Sequence, residues 1–362
     1  MKIIGFESSC DETAVAIAEI DESGKIIPLA SCVNSQIPLH RLYGGVVPEI
    51  AGRAHIENIS PLTQEAFKQA GLTPSDIDAV AVTANPGLIG ALLVGVNFAK
   101  AFAFAQSLPL VAVDHMKAHI AAAYVHKDGQ DAPKPPFIAL AVSGGHTSLY
   151  LVSSYTDYKE IGATRDDAIG EAFDKVGRLL GLSYPAGADF DKLAKEGFAL
   201  ACGKEDATFA DYKKSAHFRT QDLRFPSPAL SDGSLDFSFS GLKTAAVNLM
   251  HRFDQKGEQI ERERFAAAYT YEAVEAIATH VKTALQTYEG YPLVVAGGVA
   301  ANSHLRKRLS EVTASLKRDL FIPPLSLCGD NALMVCAQGY HELKAGNLAG
   351  TDLNASASDS IM

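Results

Sequence analysis

The segment VDHMKAHIAAAY places two histidines, His115 and His119, four residues apart. If the segment is helical, both side chains lie on one face with Cβ atoms about 5–6 Å apart, so two imidazoles could bind one metal ion. Two ordinary histidines on a helix surface would show the same spacing, and both interpretations stand at this point. A zinc protease of the His-Glu-x-x-His type needs a glutamate directly after the first histidine, and Met116 occupies that position. The pattern therefore argues against protease chemistry.

A metal site would need a third ligand from elsewhere in the chain. The segment SLCGDNALM offers Asp330, at a junction between a loop and a helix near the end of the chain. Acidic residues also crowd the N-terminal turn SSCDET, around which Glu7, Asp11 and Glu12 stand. A solvated turn would explain these acids. A turn that faces phosphate would use them beside a metal ion or in proton transfer.

Two glycine-containing turns could bind a nucleotide. In AVSGGHTSL, the turn at 143–145 would let backbone N–H groups approach an anion, although a plain tight turn has the same composition. In VVAGGVAAN, Gly297 and Gly298 end a strand and would let a purine lie flat against the chain. Asn302 begins the next helix, where it could hydrogen-bond a ribose or cap the helix.

Two aspartates in the second half of the chain have both a structural and a functional interpretation. Asp174 lies in the predicted helix EAFDKVGRLLGL, where it could face a ligand or pair with Lys175 or Arg178. Asp191 follows Gly187 in YPAGADFDKLA, where it could contact a ligand or be an acid of the first helical turn.

The elements that must position these residues repeat along the chain. KIIGFES and AVAIAEI are predicted strands around SSCDET, and FIALAVS and SLYLVSS surround GGHT in the same way. Other helices and strands alternate as in βαβ units, with helices predicted at 48–70, 87–108, 262–288 and 330–345. Pro61 implies a kink or two helices in the first of these. We therefore predict an α/β fold of two ribonuclease-H-like lobes, the actin/hexokinase/Hsp70 architecture, facing a nucleotide- and metal-binding cleft.

The length of 362 residues also favours two domains. We assign 1–130 to the N-terminal lobe, joined by the C-terminal helix at 331–350, and 131–330 to the C-terminal lobe. Three polar segments are predicted to be a linker, an insert and a disordered tail: 126–136, 203–236 and 351–362.

Composition indicates a cytoplasmic protein. The five scattered cysteines form no Cys-x-x-Cys pair, which favours a reducing compartment, and the N-terminus lacks the pattern of a signal peptide. The apolar run at 87–108 is interrupted by Asn97, Lys100 and Gln106, so we expect a buried helix rather than a membrane span. The net charge of −10 excludes a generally nucleic-acid-coated surface but allows a local basic patch.

Several of these segments occur together in one order, which is more specific than any one of them. They are GFESSCDETAVA, YGGVVPEIAGRAH, ANPGLIGALLVG, DHMKAHIAA, AVSGGHTSLYLV, DDAIGEAFDKVGRLLGLSYPAG, LDFSFSGLKTAA, VVAGGVAANSHLR and CGDNALM. Over residues 1 to 345 the chain closely resembles the TsaD family, bacterial tRNA threonylcarbamoyladenosine transferases formerly described as glycoproteases.

The resemblance implies a reaction and its ligands. Family members transfer a threonylcarbamoyl group from threonylcarbamoyl-AMP to N6 of adenosine-37 in tRNAs that read codons beginning with A, and release AMP. The implied metal is one divalent ion, Fe²⁺ or alternatively Zn²⁺, on His115, His119 and Asp330. The implied adenylate contacts are Ala141, Val142, Ser143, Gly144, Gly145, Asp174, Gly187, Asp191 and Asn302. TsaB-like and TsaE-like proteins are implied partners beside tRNA, with no membrane.

Two features concern the reaction that such an enzyme would catalyse. Adenine N6 is a poor nucleophile, so a base is needed, and Asp11 or Glu12 in the first turn is our candidate. RNA binding needs positive charge despite the net charge of −10, and two basic groups are available. They are Lys213, Lys214, Arg219 and Arg224 in the insert, and Arg306, Lys307 and Arg308 after the Gly-Gly turn.

The chain departs from the family pattern at some positions. It reads YPAGA where the family often has YPGGP, so Ala186 adds a methyl group beside the expected ribose position. Gly329 stands where threonine is common, and the tail lacks the usual arginine-rich end. Alternative classes are an actin-like small-molecule kinase, a metalloprotease and a non-catalytic partner lobe. The kinase has no need of the paired histidines, and the partner lobe has no need of a complete metal and adenylate set.

Overall fold

The computed structural model describes residues 1–125, 131–219, 223–230 and 232–358. The chain forms two compact units. Unit 1 comprises Met1–Phe137, Val152–Tyr158 and Phe321–Met362, and unit 2 comprises Ile138–Leu151 and Lys159–Leu320. Residues 131–137, 152–158 and 321–330, which the sequence prediction assigned to the second lobe, thus belong to unit 1. The predicted linker lies partly outside the described residues, at 126–130.

Unit 1 is built on a five-stranded sheet in the order β3-β2-β1-β4-β5. Its strands are β1 (Lys2–Glu7), β2 (Glu12–Ile20), β3 (Ile26–Ser35), β4 (Ala79–Asn85) and β5 (Leu110–Asp114). β1 pairs antiparallel with β2 and parallel with β4, and β4 pairs parallel with β5. The carboxyl ends of β1, β4 and β5 therefore meet at one edge of the sheet, where polar side chains follow apolar strands.

In the part of unit 1 that the structure describes, five segments are α-helices. They are α1 (Ile37–Arg41), α2 (Pro48–Ala70), α3 (Ile89–Gln106), α4 (His115–Ala121) and α12 (Ala332–Lys344). α2 continues through Pro61 as one helix, so of the two predicted alternatives the division into two helices is excluded and the kink stays a prediction. It ends at Gly71, whose φ of 66° is the left-handed conformation that glycine adopts readily.

Helix α3 is the apolar run at 87–108. By length and composition alone it could cross a membrane, and 33% of it is buried inside the structure. One face packs on the core of unit 1 through Val96, Ala99 and Ala103, whereas Phe104 is exposed. The helix, which we expected to be buried, is therefore buried on one face and exposed on the other.

Helix α12 returns the C-terminal part of the chain to the first sheet. A Cβ atom on Gly5 of β1 would lie 2.7 Å from both the carbonyl oxygen of Ala332 and the Sγ of Cys336. Only glycine at position 5 permits this approach, and it brings the loop before α12 next to the edge where β1 ends.

Unit 2 repeats the arrangement of unit 1. Its sheet has the order β10-β9-β6-β7-β8, and β6 pairs parallel with β9. Read from β8, this order matches the first sheet strand for strand, which confirms the predicted internal repeat. The strands are β6 (Phe137–Val142), β7 (Thr147–Val152), β8 (Tyr158–Ala163), β9 (Leu293–Ala296) and β10 (Leu320–Phe321).

Among the described residues, seven α-helices belong to unit 2. They are α5 (Ile169–Leu179), α6 (Gly187–Cys202), α7 (Phe209–Lys214), α8 (Ala216–Arg219), α9 (Phe239–Lys256), α10 (Arg262–Thr287) and α11 (Ser303–Leu316). Within the predicted polar insert at 203–236, the described residues include the two short helices α7 and α8.

The C-terminal segment after α12 packs on unit 1. Leu353 and Ala355 lie against its hydrophobic core, and the backbone N–H of Ser356 donates to the carbonyl of Ala84 over 2.9 Å. Lys100 of α3 donates to the carbonyl of Leu353 over 2.9 Å. The prediction of disorder was therefore wrong for 351–358. The segment is polar in overall composition, yet it contains apolar side chains that reach the core. Residues 359–362 lie outside the described residues.

Candidate functional site

Helix α4 begins where β5 ends, and Asp114 holds this junction. Its Oδ1 atom accepts hydrogen bonds from the backbone N–H groups of Met116 and Lys117, at 2.8 and 3.0 Å. Its Oδ2 atom accepts from the side chain of Asn85 at 2.9 Å. This N-cap fixes the start of α4, so His115 and His119 project from one face one turn apart, as predicted.

Asp330 meets these histidines within unit 1. One ligand atom from each of the three side chains lies within 4.8 Å of the others. The Nε2 atoms of His115 and His119 lie 3.7 and 3.2 Å from Oδ1 of Asp330. Asn331 caps α12 through Met334 and donates to the carbonyl of Gly329 over 2.9 Å. This cap holds the loop that presents Asp330.

The environment of His119 fits a metal ligand. The side chain is 1% exposed, yet among the described residues neither ring nitrogen has a hydrogen-bond partner. Nε2 lies 3.2 Å from Oδ1 of Asp330, but the two groups are not aligned for a hydrogen bond, so this contact is not counted as one. A buried imidazole without partners is costly in a folded protein. Two imidazoles and one carboxylate are donors suited to a divalent transition metal ion, so these three residues could hold one.

Glu7 orients His115. The Nδ1 atom of His115 lies 3.1 Å from Oε2 of Glu7 and 3.2 Å from Oγ of Ser9. Burial disfavours the charged ring, but Glu7 and Asp330 outweigh burial and raise the pKa of His115 to about 9. Burial likewise opposes ionisation of Glu7, and His115 lowers the pKa of that carboxyl. The sequence prediction counted Glu7 among the acids of the turn and missed this role; its signal was a carboxylate ending an apolar strand.

The predicted acidic turn lies beside this centre. Burial, followed by the negative charges of Asp330 and Asp11, raises the pKa of Glu12 to about 9. Oε1 of Glu12 accepts from the hydroxyl of Ser35 over 3.0 Å. Gly87 lies directly against this turn, because a Cβ atom at position 87 would lie 2.6 Å from the carbonyl oxygen of Ser9. Both predicted proton acceptors, Asp11 and Glu12, are thus in the same unit as the histidines.

The glycine turn after β6 forms part of unit 2. Gly144 and Gly145 are exposed, whereas Ala141 and Val142 before them are buried in the sheet. The Gly144 carbonyl accepts from the backbone N–H of Glu171 in the first turn of α5, at 3.1 Å. The start of α5 thus lies against the turn, which suits anion binding by backbone N–H groups.

Asp174 links α5 to the start of α6. Its Oδ1 atom accepts from the backbone N–H of Ala186 over 2.7 Å, and Gly187 is the exposed first residue of α6. The methyl group of Ala186 is 1% exposed and packs on Gly177 of α5, where a Cβ atom would lie 2.4 Å from it. The methyl group therefore points into the protein, against α5, and the ribose contact expected near it stays a prediction.

Asp191 links α6 to α11. Its Oδ1 atom lies 2.8 Å from Nδ1 of His304, and its Oδ2 atom accepts from the N–H of Ser303 over 3.1 Å. Burial would raise the pKa of Asp191, but His304 and Ser303 outweigh burial and lower it. Asn302 caps α11, since its Oδ1 atom accepts from the N–H of Leu305 over 2.9 Å. Sequence reasoning missed His304, because no local pattern connects it with Asp191.

A second set of contacts supports the start of α5. Asp166 accepts from the backbone N–H groups of Phe239 and Ser240, which satisfies the start of α9. The neighbouring Asp167 forms ion pairs with Lys175 and Lys243. Lys175 thus pairs with Asp167, and with Glu171 over 2.6 Å. The loop before α5 is therefore tied to two helices of unit 2.

The two predicted basic groups differ in their surroundings. Arg308 forms a two-pronged ion pair with Glu275 at 2.7 and 2.8 Å, so its charge is largely neutralised. Lys307 donates to two backbone carbonyls, those of Asp206 and Ala207. Three basic residues of the insert are exposed: Lys213, Lys214 and Arg224. The side chain of Arg219 lies outside the described part of the chain.

Comparison with known sequences gives a single family. The sequence profile of "TsaD: tRNA N6-adenosine threonylcarbamoyltransferase" matches residues 28–337. Proteins named tRNA N6-adenosine threonylcarbamoyltransferase from Streptococcus pneumoniae strains JJA and P1031 are each 45% identical over 357 residues. Each alignment covers 98% of this chain and 96% of the relative.

Solved structures share the fold at low sequence identity. Full-length HypF in its phosphate- and nucleotide-bound form has a TM-score of 0.55 at 13% identity, covering 99% of this chain and 47% of that one. Component A of Acidaminococcus fermentans (R)-2-hydroxyglutaryl-CoA dehydratase has a TM-score of 0.50 at 12% identity, covering 95% and 99%. Together with the repeated sheets, this likeness confirms the predicted α/β class and actin-like architecture.

Proposed function

Because the chain belongs to the TsaD family of tRNA N6-adenosine threonylcarbamoyltransferases, we propose that His115, His119 and Asp330 are its metal ligands. The enzyme is an acyltransferase that modifies N6 of an adenosine in tRNA. The observation that carries the metal assignment is the buried His119 ring, which has no hydrogen-bond partner in the described chain and lies beside a second imidazole and a carboxylate. Two histidines and one carboxylate suit Fe²⁺, our first choice, and also Zn²⁺.

The donor in this proposal is threonylcarbamoyl-AMP, bound by unit 2. The connected contacts from the Gly144 turn through Asp174 to Asp191 support one continuous binding surface. The carboxylate of Asp191 keeps acceptor capacity for ribose hydroxyls beyond its two present contacts. The residues assigned to the adenylate are Ala141, Val142, Ser143, Gly144, Gly145, Asp174, Gly187, Asp191 and Asn302.

In the transfer, N6 of adenosine-37 attacks the threonylcarbamoyl carbonyl and AMP leaves. A divalent ion on the three ligands would supply Lewis-acid polarisation of donor oxygens. Backbone N–H groups at the Gly144 turn would stabilise negative charge on the leaving phosphate. Asp11, or Glu12 in the state in which its carboxyl is ionised, would accept the N6 proton. The negative charge of Asp330 contributes to the raised pKa of Glu12. A metal ion bound to Asp330 would offset that charge, so the pKa of Glu12 would fall and its carboxyl would ionise more readily.

Protein partners have a candidate surface on unit 1. Four apolar side chains of α1, α2 and the segment between them are exposed: Leu39, Leu42, Tyr43 and Ile56. Leu42 is 84% exposed, which is costly for a surface that stays in water. We assign this face to the TsaB-like partner, while the TsaE-like ATPase joins the assembly elsewhere. Leu42→Glu would then weaken partner binding measured by calorimetry, whereas an unchanged affinity would exclude the face.

We place the enzyme in the cytoplasm, where its tRNA substrate is found. All five cysteines are free, which suits a reducing compartment.

The decisive experiment measures metal and transfer together. The protein would be combined with threonylcarbamoyl-AMP and unmodified tRNA, with and without partners, and the modified nucleoside would be detected by mass. His119→Ala should lose bound metal in elemental analysis and lower transfer by at least about 100-fold, since a ligand is removed. His251→Ala, an exposed histidine on α9, is the matched control. Wild-type transfer by metal-free His119→Ala would exclude the metal assignment.

A further inference from the structure

Unit 2 contains a cavity of about 290 Å³ that the reaction described above does not use. Four aromatic side chains line it: Tyr212, Phe218, Phe225 and Tyr271. The rings of Tyr212, Phe218 and Tyr271 contact one another, with centroids 5.2 to 5.6 Å apart. Phe225 packs edge-on against Phe265 below. The walls are therefore fixed by ring contacts, which gives the cavity a preformed shape.

Two charged residues also line the cavity, beside Leu223 and Ala268. Glu272 follows Tyr271 on α10 and is half-buried, and no described residue forms a hydrogen bond or ion pair with its carboxylate. Arg224 lies at the cavity as well, but its side chain is exposed. The cavity thus offers a hydrogen-bond acceptor among aromatic faces and a cation at its rim. An N–H-bearing planar group with an attached anion would match both charges.

The cavity wall is continuous with a residue assigned to the adenylate. Phe198 contacts Tyr212 with centroids 4.9 Å apart, and Phe209 contacts Tyr271 at 5.2 Å. Both phenylalanines also pack against the ring of His304, which holds Asp191. Two successive rows of aromatic rings, Tyr212 with Tyr271 and then Phe198 with Phe209, therefore connect the cavity to the Asp191–His304 pair.

We propose that this cavity binds one unpaired base of the substrate tRNA, a base with an exocyclic amino group other than the adenosine that is modified. The base stacks on the aromatic walls, its amino group donates to Glu272, and Arg224 pairs with a neighbouring phosphate. The proposal rests on the proposed function, because tRNA is the polymer that brings a base and its phosphates together. Uracil lacks the amino group and would bind more weakly.

The test separates tRNA binding from transfer. Phe218→Ala and Arg224→Ala should each raise the Kd for unmodified tRNA by about 10-fold, and Glu272→Gln by about 3-fold. At saturating tRNA, the kcat and the KM for threonylcarbamoyl-AMP should stay unchanged in Phe218→Ala and Glu272→Gln. Arg224→Ala should also reduce the slope of log K for tRNA binding against log salt concentration by about one, because one phosphate contact is lost. Lys282→Ala removes an exposed positive charge ten residues after Glu272 on α10, and it should stay within about 2-fold of wild type.

Direct contact is tested by ultraviolet crosslinking of an anticodon stem-loop RNA, followed by peptide mapping. Crosslinks to Phe218 or Tyr271 that disappear when the contacted base is replaced by uracil support the proposal. Unchanged Kd values in all three cavity variants overturn it. Saturable binding of tetramethylammonium in the cavity with no RNA crosslink also overturns it, because the site would then be an aromatic cage for a cation. Wild-type protein that binds tRNA here without transferring would count against the proposed function alone.

Discussion

The Nδ1 atom of His115 lies 3.1 Å from Oε2 of Glu7, while Nε2 of the same ring lies 3.7 Å from Oδ1 of Asp330. The two nitrogens of one imidazole thus have separate roles. A carboxylate that accepts from Nδ1–H fixes the tautomer in which Nε2 is free to bind a metal. Thr83 donates to the same Glu7 oxygen over 2.6 Å, and the Ser9 N–H donates to the other oxygen. Glu7 is therefore itself held in position.

Replacing Glu7 by glutamine should weaken metal binding by about 10- to 100-fold, because the ring loses its charged acceptor. The variant keeps the side-chain shape, so the fold should be retained. Metal affinity would be measured by competition with a chelator of known strength. Glu22→Gln, at an exposed turn of unit 1, is the control for loss of one negative charge. An unchanged affinity would show that Glu7 does not support the site.

The contact between Ala186 and Gly177 predicts a compensating pair of substitutions. Gly177→Ala would place a methyl group 2.4 Å from that of Ala186, so it should cost about 1–3 kcal/mol of unfolding free energy. Ala186→Gly in addition should restore most of that stability, since it removes the clash. Urea unfolding of both single variants and the double variant measures the coupling. Additive effects would contradict the packing of this methyl group.

Asp191 should contribute stability that depends on pH. Its pKa is lower in the folded chain than the usual value of about 3.9. A lowered carboxyl pKa contributes stability above the unfolded pKa, and this contribution is lost as pH falls through the folded pKa. Asp191→Asn should therefore destabilise the protein by about 1.5–3 kcal/mol at pH 7 and by less at pH 3, which lies below the unfolded pKa of about 3.9. Urea midpoints at both pH values test this, and an equal difference at both would refute it.

The C-terminal segment should stabilise unit 1. A chain that ends at Gly350 loses the contacts of Leu353, Ala355 and Ser356, and its apparent Tm should fall by about 2–4 °C for each kcal/mol lost. A chain that ends at Ser358 keeps these contacts and is the control. Differential scanning calorimetry provides the measurement. Equal Tm values for the two chains would mean that the segment adds no stability.

Local sequence patterns predicted helices and strands correctly where a few neighbouring residues determine the backbone conformation. The hairpins around SSCDET and GGHT follow from alternation on both sides of a short turn, and both are present. Gly71 ends α2 as expected, because its left-handed conformation is a local requirement. Pro61 allowed a kink or two helices, and only the structure shows one helix, since a helix packed along its length tolerates a proline that would interrupt an isolated one.

The sequence by itself determined the repeated α/β architecture and nominated His115, His119 and Asp330, because spacing and order are properties of the chain. Only the tertiary structure decided that Glu7 supports His115, that His304 holds Asp191, and that the methyl group of Ala186 points inward. Each of these depends on two side chains between 9 and 113 residues apart in sequence, brought together by packing. Periodicity describes the face of one element, and it carries no information about which side chain of another element will meet that face.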